Sequence, residues 1–201
     1  MSSLQLVAAV ALGYLLGAIP SGVLVGRLRG VDPRDSGSGR TGTTNAIRTM
    51  GLRWAVLVAI LDVGKGIAAV LLGTLIGPEP WAGPLAGVAA VAGHVRSVFI
   101  GFTGGRGVAT GAGAMVLLAP LAVLAAILEF AVVVGATRLV SLGSILGSIT
   151  VAMIAIVLVA IGWSGIEVAV AACAIAVIVV VAHADNIERL RAGTERRFGS
   201  G

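Results

Sequence analysis

Charge is scarce in this chain, and several residue types are almost missing. Only 11% of its 201 residues are Asp, Glu, Lys or Arg, and only 4% are aromatic. The single cysteine, Cys173, lies in an apolar run, which excludes a disulfide framework and a cysteine-based metal site. Lys65 is the only lysine, and His94 and His183 are the only histidines. Three short segments, 77–81, 120 and 162–165, hold no Lys or Arg at all.

What is present is apolar. Hydrophobic residues make up 58% of the chain, and its mean hydropathy is +1.07. A soluble domain cannot hide that much apolar surface, so the class is an integral membrane protein. The net charge is +5. In a soluble protein such an excess would suggest nucleic acid; here the bias of basic residues toward one face of a membrane accounts for it, and no nucleic-acid partner is expected. No basic segment precedes the first apolar stretch, which therefore reads as a retained span and not as a cleaved signal peptide.

Apolar runs lie at Leu4–Val25, Trp54–Ile76, Ala82–Val98, Val108–Ala119, Leu121–Ala136, Ile145–Ile161 and Ile166–Ala182. A full span needs about 20 residues, and the fourth and fifth runs, parted by Pro120, are shorter. Counting them separately keeps the segments around 27–53, 96–106, 138 and 189–197 on one side; merging them puts Arg138 and the C-terminal arginines on the other. The expectation is an all-α protein of seven transmembrane helices, some short or re-entrant, with the N-terminus outside and the C-terminus cytoplasmic. It forms a single polytopic domain over 1–201. Asp185 and Glu188 have capping-box spacing and Gly193 suits a helix C-cap, so a short interfacial helix is expected at about 185–193.

The polar loops carry the chemistry. Between Arg27 and Arg48 runs a Gly-rich segment containing Ser36-Gly37-Ser38-Gly39-Arg40 and Gly42-Thr43-Thr44-Asn45. Glycine lets backbone N–H groups converge on an anion, hydroxyls and an amide add donors, and Arg40 and Arg48 add forked cations suited to phosphate. The Gly-Lys-Ser/Thr ending of a nucleotide P-loop is missing, which argues against an ATPase. A basic loop that merely touches anionic headgroups accounts for the same residues. The theme recurs in Gly104-Gly105-Arg106-Gly107, which leads into the fourth run, where a helix N-terminus favours phosphate. His94 reads as a helix-end group. Asp62 and Lys65 lie three apart inside the second run and are expected to pair, fixing helix packing or serving function. Ser141 and Ser144 either cap the sixth run or donate to an anion. No paired carboxylates or histidine clusters suggest a metal site.

Taken together, Ser36-Gly37-Ser38-Gly39, Gly42-Thr43-Thr44-Asn45, Arg48, Asp62, Lys65-Gly66, Gly93-His94, Gly101-Phe102, Gly104 to Thr110, Ser141, Ser144, His183, Asn186 and Gly193-Thr194-Glu195 resemble the bacterial acyl-phosphate-dependent glycerol-3-phosphate acyltransferases, the PlsY family. The likeness runs from about residue 13 to residue 195, in order. It implies a multi-pass protein of the bacterial plasma membrane, acting in phospholipid synthesis with its site on the cytoplasmic face. It implies transfer of a fatty acyl group from acyl phosphate to the 1-hydroxyl of glycerol 3-phosphate, giving lysophosphatidic acid and phosphate, with no cofactor, no metal and no obligate protein partner. The catalytic residues it implies are His183, Ser38, Arg48 and Arg106. Substrate contacts would come from Gly37, Gly39, Thr43, Asn45, Gly104, Gly105, Gly107, Ser141, Ser144, Asn186 and Glu195. Two departures stand out: Arg106 replaces the usual lysine, and Arg96-Ser97 replaces a Phe-Pro pair.

An acyl phosphate is already activated, so no covalent intermediate is needed, and no Ser-His-Asp arrangement is visible. The task is to hold two phosphates together and place a hydroxyl on the acyl carbonyl. His183 or a substrate phosphate oxygen takes the proton. The competing classes are an anion transporter, for which basic Gly-rich loops would also serve, and a headgroup-binding scaffold.

Overall fold

The computed structural model describes residues 3–77 and 79–199; Pro78, in the segment 77–81 that holds no Lys or Arg, lies outside them. The chain forms a helical bundle: α1 (Ser3–Ala18), α2 (Ser21–Arg27), α3 (Thr43–Met50), α4 (Leu52–Ile76), α5 (Ala82–Val95), α6 (Val108–Leu118), α7 (Pro120–Thr137), α8 (Val140–Ala160), α9 (Ile166–Ala182) and α10 (Ala184–Arg191). Pro20 parts α1 from α2, having no N–H to continue the ladder.

Seven full crossings do not form. Among the described residues, four stretches are long and apolar enough to cross a membrane: 3–27, 52–76, 120–137 and 140–160. A fifth exists only if α9 and α10, bent by 60° at His183, count as one span. The expected third and fourth spans are short helices of 14 and 11 residues. At 1.5 Å per residue they reach about 21 Å and 17 Å, against a hydrocarbon core of about 30 Å. Burial explains why they look like spans. Ten of the fourteen residues of α5 are buried in protein, so its apolar composition reports the bundle interior and not lipid. By contrast α7 buries only Ala122 and Val123 and turns Leu121, Leu124, Leu128 and Val132 outward.

Small residues hold the bundle together, because lipid supplies no hydrophobic drive for helices to associate. A Cβ on Gly13 or Gly17 of α1 would fall on the carbonyls of Ala86 and Ala90 in α5, and one on Gly93 would fall on that of Tyr14. Helices α4 and α6 pack through Gly66 and Gly113 in the same way. The core they enclose is largely alanine and valine, with Met115 and Ile175. Inside α4, Lys65 Nζ lies 2.9 Å from Asp62 Oδ1 and donates to the Ile19 carbonyl at 3.0 Å. The expected pair thus forms, and it also ties α4 to the break between α1 and α2.

Candidate functional site

The Gly-rich segment after α2 is shaped by one amide. Asn45, in the first turn of α3, donates through Nδ2 to the carbonyls of Pro33 (2.6 Å), Arg40 (2.8 Å) and Ser36 (3.2 Å), while its Oδ1 accepts the Ser38 N–H at 2.8 Å. Its polar atoms are thereby spent on the loop. Gly37 has φ +65°, and a Cβ there would fall on Asn45 Oδ1, so the turn requires glycine. Held this way, the segment presents Ser38, Arg40, Thr43 and Arg48 to a cavity of about 500 Å³, while Gly37 and Gly39 stay behind it. The Thr43 hydroxyl is buried there without a hydrogen-bond partner.

The second Gly-rich segment is backed by His94. Gly105 N–H donates to the His94 carbonyl at 3.2 Å, and a Cβ at Gly104 or Gly105 would strike His94. These two glycines therefore support the wall, and Arg106 and Gly107 reach the cavity. Arg106 Nη2 donates to Asp185 Oδ2 at 2.8 Å, and its buried Nε has no partner. Burial pushes the pKa of this guanidinium down and Asp185 pulls it back. It stays charged at neutral pH, because arginine starts so high.

From α8, α9 and α10 come the remaining groups. His183 is buried at the bend, with Nδ1 2.8 Å from the Val179 carbonyl. A carbonyl only accepts, so Nδ1 carries the hydrogen and the neutral ring leaves Nε2 as an acceptor. Glu195 gathers three donors: Asn186 Nδ2 (2.6 Å) and Ser141 Oγ (3.0 Å) on Oε1, and Arg189 Nε (2.8 Å) on Oε2. Ser144 Oγ donates to the Val140 carbonyl at 2.9 Å. Asn186 Oδ1 is buried without a partner.

Five guanidiniums line the cavity: Arg40, Arg48, Arg106, Arg189 and Arg196. Asp185 and Glu195 answer Arg106 and Arg189, whereas Arg40, Arg48 and Arg196 have no ion pair among the described residues. The cavity thus carries an excess of positive charge, which suits an anion. Against it lies an apolar slot of about 230 Å³ between α6, α7, α8 and α9, which shares Val108, Ala112, Phe130 and Ser144 with the cationic cavity. One space thus has a charged end and an oily end.

Of the groups read from the sequence, Ser38, Thr43, Asn45, Arg48, Arg106, Gly107, Ser141, Ser144, His183, Asn186 and Glu195 meet at this cavity; Gly37, Gly39, Gly104 and Gly105 do not line it. Sequence reasoning missed Arg196, Phe198 and the pairing of Arg106 with Asp185. Nothing local marks Arg196, one of two adjacent arginines in a tail.

The family model described as glycerol-3-phosphate acyltransferase matches residues 7–193. A glycerol-3-phosphate acyltransferase from Synechococcus sp. (strain CC9902) is 46% identical over 200 residues, covering 99% of this chain and 96% of its own. One from Symbiobacterium thermophilum is 45% identical, covering 97% and 96%. Two crystal structures of PlsY, an integral membrane glycerol 3-phosphate acyltransferase, are similar at 36% identity, each covering 97% of this chain and 96% of its own. The glycerol 3-phosphate form has a TM-score of 0.88 and the lysophosphatidic acid form 0.86.

Proposed function

The chain belongs to the glycerol-3-phosphate acyltransferase family, and from that premise we propose that the two-ended cavity is where it joins its substrates. It is a multi-pass protein of a bacterial membrane and an acyl-phosphate-dependent enzyme. It moves an acyl group from acyl phosphate to glycerol 3-phosphate, forming lysophosphatidic acid and phosphate. The transporter and scaffold readings fall with that assignment.

The continuity of the charged and apolar spaces carries the proposal. The acyl chain lies in the slot beside Phe130, with its carbonyl near the junction. Arg48 and Arg106 hold the two phosphates and offset their repulsion, the Ser38 hydroxyl donates to one of them, and Ser144 can add a donor by turning from Val140. The 1-hydroxyl of glycerol 3-phosphate attacks the acyl carbonyl carbon, the bond from that carbon to the phosphate oxygen breaks, and inorganic phosphate leaves. His183 Nε2 accepts the hydroxyl proton and returns it to the departing phosphate. Asn45, Gly104, Gly105 and Glu195 shape the walls. Positioning supplies much of the rate, since the donor is already activated. The charged end faces the cytoplasm, supported by the absence of Lys and Arg from the opposite segments 77–81, 120 and 162–165.

The test mixes purified protein with glycerol 3-phosphate and palmitoyl phosphate. Lysophosphatidic acid is expected, with none formed when palmitoyl-CoA replaces the phosphate donor; activity with the thioester alone overturns the reading.

A further inference from the structure

The segment after α10 is pinned at two points. Glu195 is held by Ser141, Asn186 and Arg189, and the Phe198 N–H donates to the Arg138 carbonyl at 2.7 Å. That carbonyl is presented by a left-handed turn, Arg138 having φ +61°, between α7 and α8. Between the pins lies Arg196, whose side chain lines the cationic cavity together with Arg48 of α3. Neither arginine has an ion pair or hydrogen bond among the described residues.

Two unpaired cations facing one space repel each other. Burial pushes the Arg48 pKa down, the charge of Arg196 pushes it further, and the Glu195 carboxylate pulls part of that shift back. Placing them together costs energy in the empty protein, and a dianion between them reverses the sign of that cost. Guanidiniums suit the role because each offers a planar fork to phosphate oxygens. Holding the backbone on both sides of Arg196 lowers the entropy lost when it grips a ligand.

We propose that Arg196 is a further substrate-binding residue, which shares with Arg48 the phosphate group of glycerol 3-phosphate or of the acyl phosphate. The strap 194–198 thus completes the site. The inference rests on the reading of this cavity as the place of acyl transfer. The bland alternative is that Arg196 only adds positive charge on the membrane face. Arg191 on α10 is exposed as Arg196 is but lies away from the cavity lining, and it serves as the control.

The test is calorimetric titration of the purified full chain with glycerol 3-phosphate and, separately, with inorganic phosphate. Arg196→Ala is expected to weaken binding about tenfold in at least one arm, as loss of a charged hydrogen bond does, with Arg191→Ala within about twofold of wild type. A loss in the glycerol 3-phosphate arm assigns Arg196 to the acceptor; a loss with inorganic phosphate alone assigns it to the donor. Arg196→Lys, which keeps the charge without the fork, is expected to fall between. Unchanged affinity in both arms for Arg196→Ala overturns the proposal, as does a wild type that binds neither anion. If the wild type forms no lysophosphatidic acid, the acyl-transfer reading fails on its own, and the titrations still decide Arg196.

Discussion

Arg106 has one firm partner and a spare donor, with Nη2 on Asp185 and a buried Nε left open. A residue kept only for positive charge would be dispensable among so many arginines. We expect Arg106→Ala to insert normally and to lose roughly ten- to a hundredfold in kcat/KM, the scale of one charged hydrogen bond. Arg106→Lys should keep most activity, because the resembled family usually carries lysine there. A well-folded Arg106→Ala enzyme within about twofold of wild type removes Arg106 from the site. His183 offers a different separation. With Nδ1 bound to Val179, only Nε2 is free for a proton. His183→Gln should lower kcat by about 10²–10⁴-fold while KM changes little, the range for a lost general base. A kcat within about threefold of wild type assigns the proton to a substrate phosphate oxygen instead.

Among the elements, the Gly-rich segment after α2 has little structure of its own and borrows its shape from α3. Asn45 supplies four hydrogen bonds to it from one buried side chain. Asn45→Ala should therefore cost about 2–4 kcal/mol, on the order of 1 kcal/mol per buried bond, read as a lower Tm in detergent. The same variant should raise KM, because Ser38 and Arg48 lose their frame. Asn45→Asp should be no better, since a carboxylate would face three carbonyl oxygens. An unchanged Tm for both variants would show that the segment holds its shape without Asn45. Helices α5 and α6 carry a related lesson. Too short for a full crossing, α5 packs against α1, α4 and α9 and α6 chiefly against α4 and α5, and their ends bring His94 and Gly107 to the cavity.

Across the whole molecule, segments far apart in sequence converge at one end. Arg106 meets Asp185 across 79 residues, and Ser141 meets Glu195 across 54. If that end faces the cytoplasm, a cysteine at exposed Ser36, in a Cys173→Ser background, should react with an impermeant thiol reagent only in inside-out vesicles. Labelling of Ser36→Cys in intact cells would place the site on the other face.

Membrane residence, the helical class and the two Gly-rich segments beside arginine followed from the sequence alone. Each is a property of neighbouring residues: apolar runs, glycine beside hydroxyl and arginine, basic charge kept from some loops. The Asp62–Lys65 pair was equally legible, because three residues on a helix place two side chains on one face. Tertiary structure decided the rest. Hydropathy does not distinguish a helix bathed in lipid from one buried in protein, so α5 and α6 read as spans until their lengths and neighbours were known. Motif order does not say which groups are spent on the protein, and only the fold showed the amide of Asn45 occupied and the guanidinium of Arg196 free. Such facts depend on where distant backbone and side-chain groups come to rest, and packing settles that.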